Sequence, residues 1–69
     1  MPEHSLRNSI RELRSERGMM TQQALADLVG VTRQTVISIE SGRYAPSLLL
    51  AFKIAAALGV PIEQVFQYE

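Results

Sequence analysis

The chain has 69 residues, of which 46% are hydrophobic and none is cysteine, and its 7 Lys and Arg balance its 7 Asp and Glu. That length suits one domain without room for a separate catalytic or effector-binding lobe, and a domain this size buries only about 60% of its unfolded surface, so the apolar content must be packed densely or shared with a partner. The absence of thiols excludes a disulfide framework and a thiolate metal site, and the zero net charge by itself argues against a nucleic-acid binder.

The opening MPEHSLRNSIRELRS carries charges throughout and lacks the apolar core of a signal peptide. A first helix is predicted from about Ser9 to Arg17. Ser9 and Glu12 have the spacing of a capping box, Ile10 and Leu13 face inward, and Gly18 ends the helix. The second, Gln22 to Val29, has Thr21 as its cap and puts Ala24, Leu25, Leu28 and Val29 on one side at helical spacing. Gly30 then supplies the permissive backbone of a sharp helix end. Thr32 restarts the helix, because its hydroxyl can accept a bond from an amide two or three residues on, so Arg33 to Ser41 form a third helix with Val36 and Ile39 turned toward the second. Two short helices hinged at a glycine make a helix-turn-helix. Thr32, Arg33, Gln34, Thr35 and Ser38 are left facing outward, and an exposed N-terminal turn bearing Arg and Gln has the donors to read guanine and adenine edges in a major groove. Gly42 closes this helix, and Arg43, Tyr44 and Ala45 form a loop. Pro46 and Ser47 open a fourth helix, Leu48 to Leu58, with Leu50, Ile54, Ala55 and Leu58 as its core stripe. Gly59 stops it, and a short last helix beginning at Pro61 carries Ile62, Val65 and Phe66. The longest apolar run, Leu48 to Phe52, is far too short to span a bilayer, so a soluble intracellular protein is expected.

The run QQALADLVGVTRQTVISIESGRYAPS resembles the DNA-binding domain of lambda-repressor and Cro-like transcriptional regulators, the XRE-like group. The likeness covers nearly the whole chain: SIRELRSERG is similar to the family's first helix and SLLLAFKIAAALGVPIEQVFQYE to its fourth and fifth. It implies an all-α, five-helix fold, one domain over 1–69 with the helix-turn-helix at about 22–41, and a small terminal sheet in which Leu6 and Arg7 pair with Phe66 to Tyr68. Carried over position by position, it also implies base contacts from Thr32, Arg33, Gln34 and Ser38. Phosphate contacts are implied for Gln22, Thr35, Ser41, Gly42, Arg43 and Tyr44, with main-chain amides after the third helix taking part, and a partly buried salt bridge is implied between Arg14 and Glu40. Arg33 suits guanine O6 and N7, and Gln34 suits adenine N6 and N7. Plainer roles stand beside these: exposed Arg and Gln are ordinarily solvated, Thr32 is a cap, and Tyr44 packs as readily against the fourth helix. Arg33 and Arg43 bracket the third helix while Glu63 and Glu69 lie in the C-terminal segment, so modest salt dependence is expected.

Three features depart from the family pattern. Ile37 and Leu49 stand where polar residues are usual, and both are expected outside, Ile37 near a thymine methyl and Leu49 with Val60, Pro61, Val65 and Phe66 in a dimer surface. GMMTQ holds one residue more than the usual GLTQ, which leaves open whether Met19 or Met20 enters the core. His4 is the only histidine, with no cluster at ligand spacing, so no metal is expected, nor does any cofactor or small-molecule substrate follow. An enzyme is the weakest reading, since no nucleophile, base and orienting group can be assembled and no phosphate-cradling glycine loop exists. The function expected is repression of transcription by a homodimer on a palindromic operator in double-stranded DNA, since one short helix reads too few base pairs alone. Two alternatives remain: an antitoxin-type autorepressor, for which the tail is short, and a protein-interaction module that no longer reads DNA. Zero net charge favours the second alternative; Arg33, Gln34, Gln22 and Arg43 together oppose it.

Overall fold

The computed structural model describes residues 6–68. Strand β1 (Leu6–Asn8) leads into helices α1 (Ile10–Glu16), α2 (Gln22–Val29), α3 (Arg33–Glu40), α4 (Leu48–Leu58) and α5 (Ile62–Val65), and strand β2 (Phe66–Tyr68) follows. The strands pair antiparallel, Leu6 opposite Tyr68, Arg7 opposite Gln67 and Asn8 opposite Phe66, which is the terminal sheet the family resemblance implies. His4 and Glu69 lie outside the described residues.

Every helix contributes to one core. Ile10, Leu25, Ile39, Ile54, Leu58, Val36 and Val65 are its largest fully buried side chains. Burying each contributes about 1.5–3 kcal/mol relative to leaving it in water. Short side-chain caps start the middle three helices: Thr21, Thr32 and Ser47 each accept the amide three residues on, from Ala24, Thr35 and Leu50. Among the described residues no helix is long and apolar enough to cross a membrane.

Four expectations need correction. Leu28 does not face the core but is 63% exposed, and Ala26 is buried instead. At about 100° per residue, Leu25, Val29 and Ala26 span one arc of α2 and Leu28 falls outside its edge; α2 packs against both α3 and α4, and that arc is the one they cover. The Ser9–Glu12 capping box is absent: Ser9 makes no side-chain cap bond, and its amide is already bound to the Val65 carbonyl at 2.8 Å, leaving Glu12 nothing to cap. Asn8 Oδ1 accepts the Ile10 amide instead, at 3.2 Å. Phe66 belongs to β2 rather than to the last helix, its backbone being extended at φ −120° and ψ 134°. Finally, Val65 is fully buried and so has no surface to offer a dimer, while Val60 and Phe66 are half-buried against the core and Pro61 and Leu49 remain exposed.

The extra residue before α2 is absorbed where Gly18 and Met19 both take left-handed backbone angles, φ +71° and +63°. Met19 projects into solvent, 75% exposed, while Met20 packs on the core.

Candidate nucleic-acid interface

Gly30, at φ +78°, reverses the chain between α2 and α3, and its amide and that of Val31 both bond the Ala26 carbonyl, at 2.9 and 3.0 Å. This closes α2 in three residues and sets α3 across it. With Val36 and Ile39 buried, the opposite side of α3 meets solvent: Arg33 and Gln34 are exposed, and Thr35, Ile37 and Ser38 are partly so. Neither the Arg33 nor the Gln34 side chain has a partner among the described residues. Their donors therefore stand free at the N-terminal turn of the helix, where groove-entering helices contact base edges. Ile37, one turn along the same side, adds an apolar surface of the kind that meets a thymine methyl.

The hydroxyls around them are more committed. Thr32 Oγ1 accepts the Thr35 amide at 3.2 Å and lies 3.1 Å from the Thr35 hydroxyl, so both threonines serve the cap first. After α3 the chain folds back on its last turn. The amides of Ser41 and Gly42 donate to the carbonyls of Ile37 and Ile39, and those of Arg43 and Tyr44 both donate to Ser38, at 3.0–3.2 Å. Ser41 Oγ bonds the same Ser38 carbonyl at 3.1 Å. The main-chain donors are thus used inside the turn, which leaves the exposed Arg43 guanidinium and the half-exposed Tyr44 phenol as its outward groups. Tyr44 lines a shallow hollow with Thr32, Gln34, Thr35 and Ser38, which places it beside α3.

A charged knot sets the height of α3 against the rest. Arg14 grips Glu40 with two bonds, Nε to Oε2 at 2.7 Å and Nη2 to Oε1 at 3.1 Å, while its Nη1 donates to the Met20 carbonyl at 2.8 Å. The two side chains are 13% and 10% exposed, so the pair is shielded from water and salt. Gln22 adds a third contact, Nε2 to Glu40 Oε1 at 3.2 Å. The expectation of a phosphate contact left that bond unforeseen: the Glu40 carboxylate lies within reach of the Gln22 amide nitrogen and accepts from it. Asn8 was not singled out at all, yet its Nδ2 donates to the Ile39 carbonyl at 3.0 Å. An Asn two residues before a helical run is a usable cap signal, but the adjacent Ser9 carries the same signal.

The helix-turn-helix family model matches residues 10–65. An uncharacterised HTH-type transcriptional regulator of Methanothermobacter thermautotrophicus is 58% identical over 62 residues, which cover 88% of both chains. The regulator YgzD of Bacillus subtilis, also uncharacterised, is 50% identical over 64 residues, 93% of this chain and 96% of that one. Among solved structures, the restriction-modification controller protein C.AhdI of Aeromonas hydrophila superposes with a TM-score of 0.73 at 36% identity, over 80% of this chain and 82% of that chain. The free donors at the head of α3, the tight turn before it and these likenesses agree: the chain belongs to the helix-turn-helix family of lambda-repressor and Cro-like, or XRE-type, transcriptional regulators.

Proposed function

We propose that the protein is a repressor that binds a roughly palindromic operator as a homodimer, in the cytoplasm where the DNA lies. The observation that carries this is the pairing of Arg33 and Gln34, exposed and unpartnered on the first turn of a helix whose other side is locked into the core. Arg33 reads guanine, Gln34 reads adenine, and Arg43 and Tyr44 hold the flanking phosphates. Two copies would set their α3 helices in successive major grooves about 34 Å apart. Repression then requires no chemistry, only occupancy of the promoter, in keeping with a family of DNA-binding regulators rather than of enzymes.

With Val65 buried and Val60 and Phe66 half-buried, the dimer surface is better sought on the first turns of α4. There Leu48, Leu49 and Phe52 are 70%, 66% and 51% exposed. A contiguous apolar cluster of that kind marks a protein contact. The deciding experiment is selection of binding sites from randomised duplex DNA with wild type and Arg33→Ala at one stated salt concentration. Enrichment of an inverted repeat by wild type, with preference lost at one symmetric base pair in the variant, supports the reading. No enrichment by either protein removes it in favour of a protein-interaction module.

A further inference from the structure

One side chain joins the terminal sheet to the far end of the recognition helix. Asn8 Oδ1 accepts the Ile10 amide at 3.2 Å and so caps α1, while Nδ2 donates to the Ile39 carbonyl at 3.0 Å in the last turn of α3. The two partners dictate which way the amide points, since one is an N–H and the other a C=O. The backbone of Asn8 is held independently, paired with Phe66 in the sheet and followed by the 2.8 Å bond from the Ser9 amide to Val65. The Ile39 carbonyl belongs to the set that has no partner further along a helix; the Gly42 amide uses it at 3.1 Å, and Asn8 supplies a second donor at the negative end of the helix. A side chain that only accepts, such as Asp, can make the first of these bonds and not the second.

We propose that Asn8 is a positioning residue for DNA recognition, holding the end of α3 and the Ser41–Tyr44 turn folded on it at the angle that presents Arg33 and Gln34 to the bases. This rests on the reading of Arg33 and Gln34 as base contacts. Glu40, tied to Arg14 and Gln22, pins the same end of α3 from α1 and α2, and Asn8 pins it from the sheet. Two anchors in different directions set a tilt where one sets only a distance. In a helix about 12 Å long, a tilt of about 5° at one end moves the other by about 1 Å. Such a shift strains a two-bond contact to a base, whose donor–acceptor distances lie near 2.7–3.2 Å.

The test compares wild type, Asn8→Asp and Asn8→Ala. Asn8→Asp keeps the cap of α1 and loses the bond to Ile39; Asn8→Ala loses both. Both variants are expected to melt below wild type, Asn8→Ala because it loses both bonds and Asn8→Asp because its second carboxylate oxygen faces the Ile39 carbonyl at the negative end of α3. Both are also expected to lose about tenfold of the preference for the selected operator over random duplex, measured well below the melting transition. In the absence of DNA, the amides of Gly42, Arg43 and Tyr44 should exchange with deuterium faster in both variants than in wild type. Wild-type operator preference in Asn8→Asp, or preference that falls in step with melting temperature across the three proteins, overturns the proposal, as does unchanged exchange at those amides. If wild type itself selects no operator, the base-contact reading fails, and unchanged exchange would separately overturn the hold on α3.

Discussion

Arg33 and Glu40 sit seven residues apart on α3 and show two ways a charge serves this protein. Arg33 is exposed and unpartnered, so its removal should leave the fold intact. Arg33→Ala is expected to cost about 1–3 kcal/mol of discrimination at one symmetric base pair, measured as the ratio of Kd values on operator and single-substituted duplexes. Arg33→Lys should not restore it, because an ammonium lacks the planar fork that meets O6 and N7 together. Glu40 is nearly enclosed by Arg14 and Gln22, and taking it away strands a guanidinium that has little water around it. Glu40→Ala is therefore expected to destabilise the fold by about 3 kcal/mol in urea unfolding, and Glu40→Gln by less, because an amide oxygen still accepts from Arg14. Opposite charges among apolar helices made the Arg14–Glu40 pair visible beforehand. Gln22 as its third member was not visible, because a glutamine at the head of a helix has equal reason to meet a phosphate.

At the scale of elements, the turn between α1 and α2 absorbs an inserted residue by placing two successive residues in left-handed backbone. Gly18 does so freely, whereas Met19, at φ +63°, bears the strain of a side chain there. Met19→Gly is expected to be neutral or stabilising by up to about 1 kcal/mol, the relief of strain partly offset by glycine's greater freedom in the unfolded chain. Met20→Ala should destabilise by about 2 kcal/mol, since Met20 packs on the core. Thermal unfolding of the two variants side by side checks the assignment, and a reversal of their order would mean that Met19 is the buried one. The sequence alone left these methionines equivalent, for both are flexible and apolar and only the backbone angle at position 19 separates them.

For the whole molecule, the balance of 7 basic and 7 acidic residues implies that affinity for DNA comes from a few placed charges. The main-chain amides after α3 are spent internally, so on the proposed reading Arg43 carries much of the phosphate contact. Arg43→Ala is expected to weaken binding to all duplexes alike and to flatten the plot of log K against log salt by about 0.9 per subunit. A titration of Kd from low to physiological salt measures both effects. An unchanged slope would place the phosphate contact elsewhere, Tyr44 being the neighbouring exposed group.

By themselves, the residues in order determine where α2, α3 and α4 begin and end, because their caps and turns depend on neighbours a few positions away. Thr21, Thr32 and Ser47 each bond an amide three residues on, and Gly30, Gly42 and Gly59 supply the left-handed angles that end α2, α3 and α4. The exposed polar side of α3 follows from the same local periodicity, once Val36 and Ile39 are inward. What the tertiary structure decided is every choice between partners distant in sequence. It turned Leu28 out and Ala26 in, buried Val65 where a dimer contact was expected, gave Gln22 to Glu40 across 18 residues, and joined Asn8 to Ile39 across 31. Such contacts depend on how helices are angled against one another, and that angle comes from packing and anchors drawn from the whole chain, which no stretch of neighbouring residues specifies.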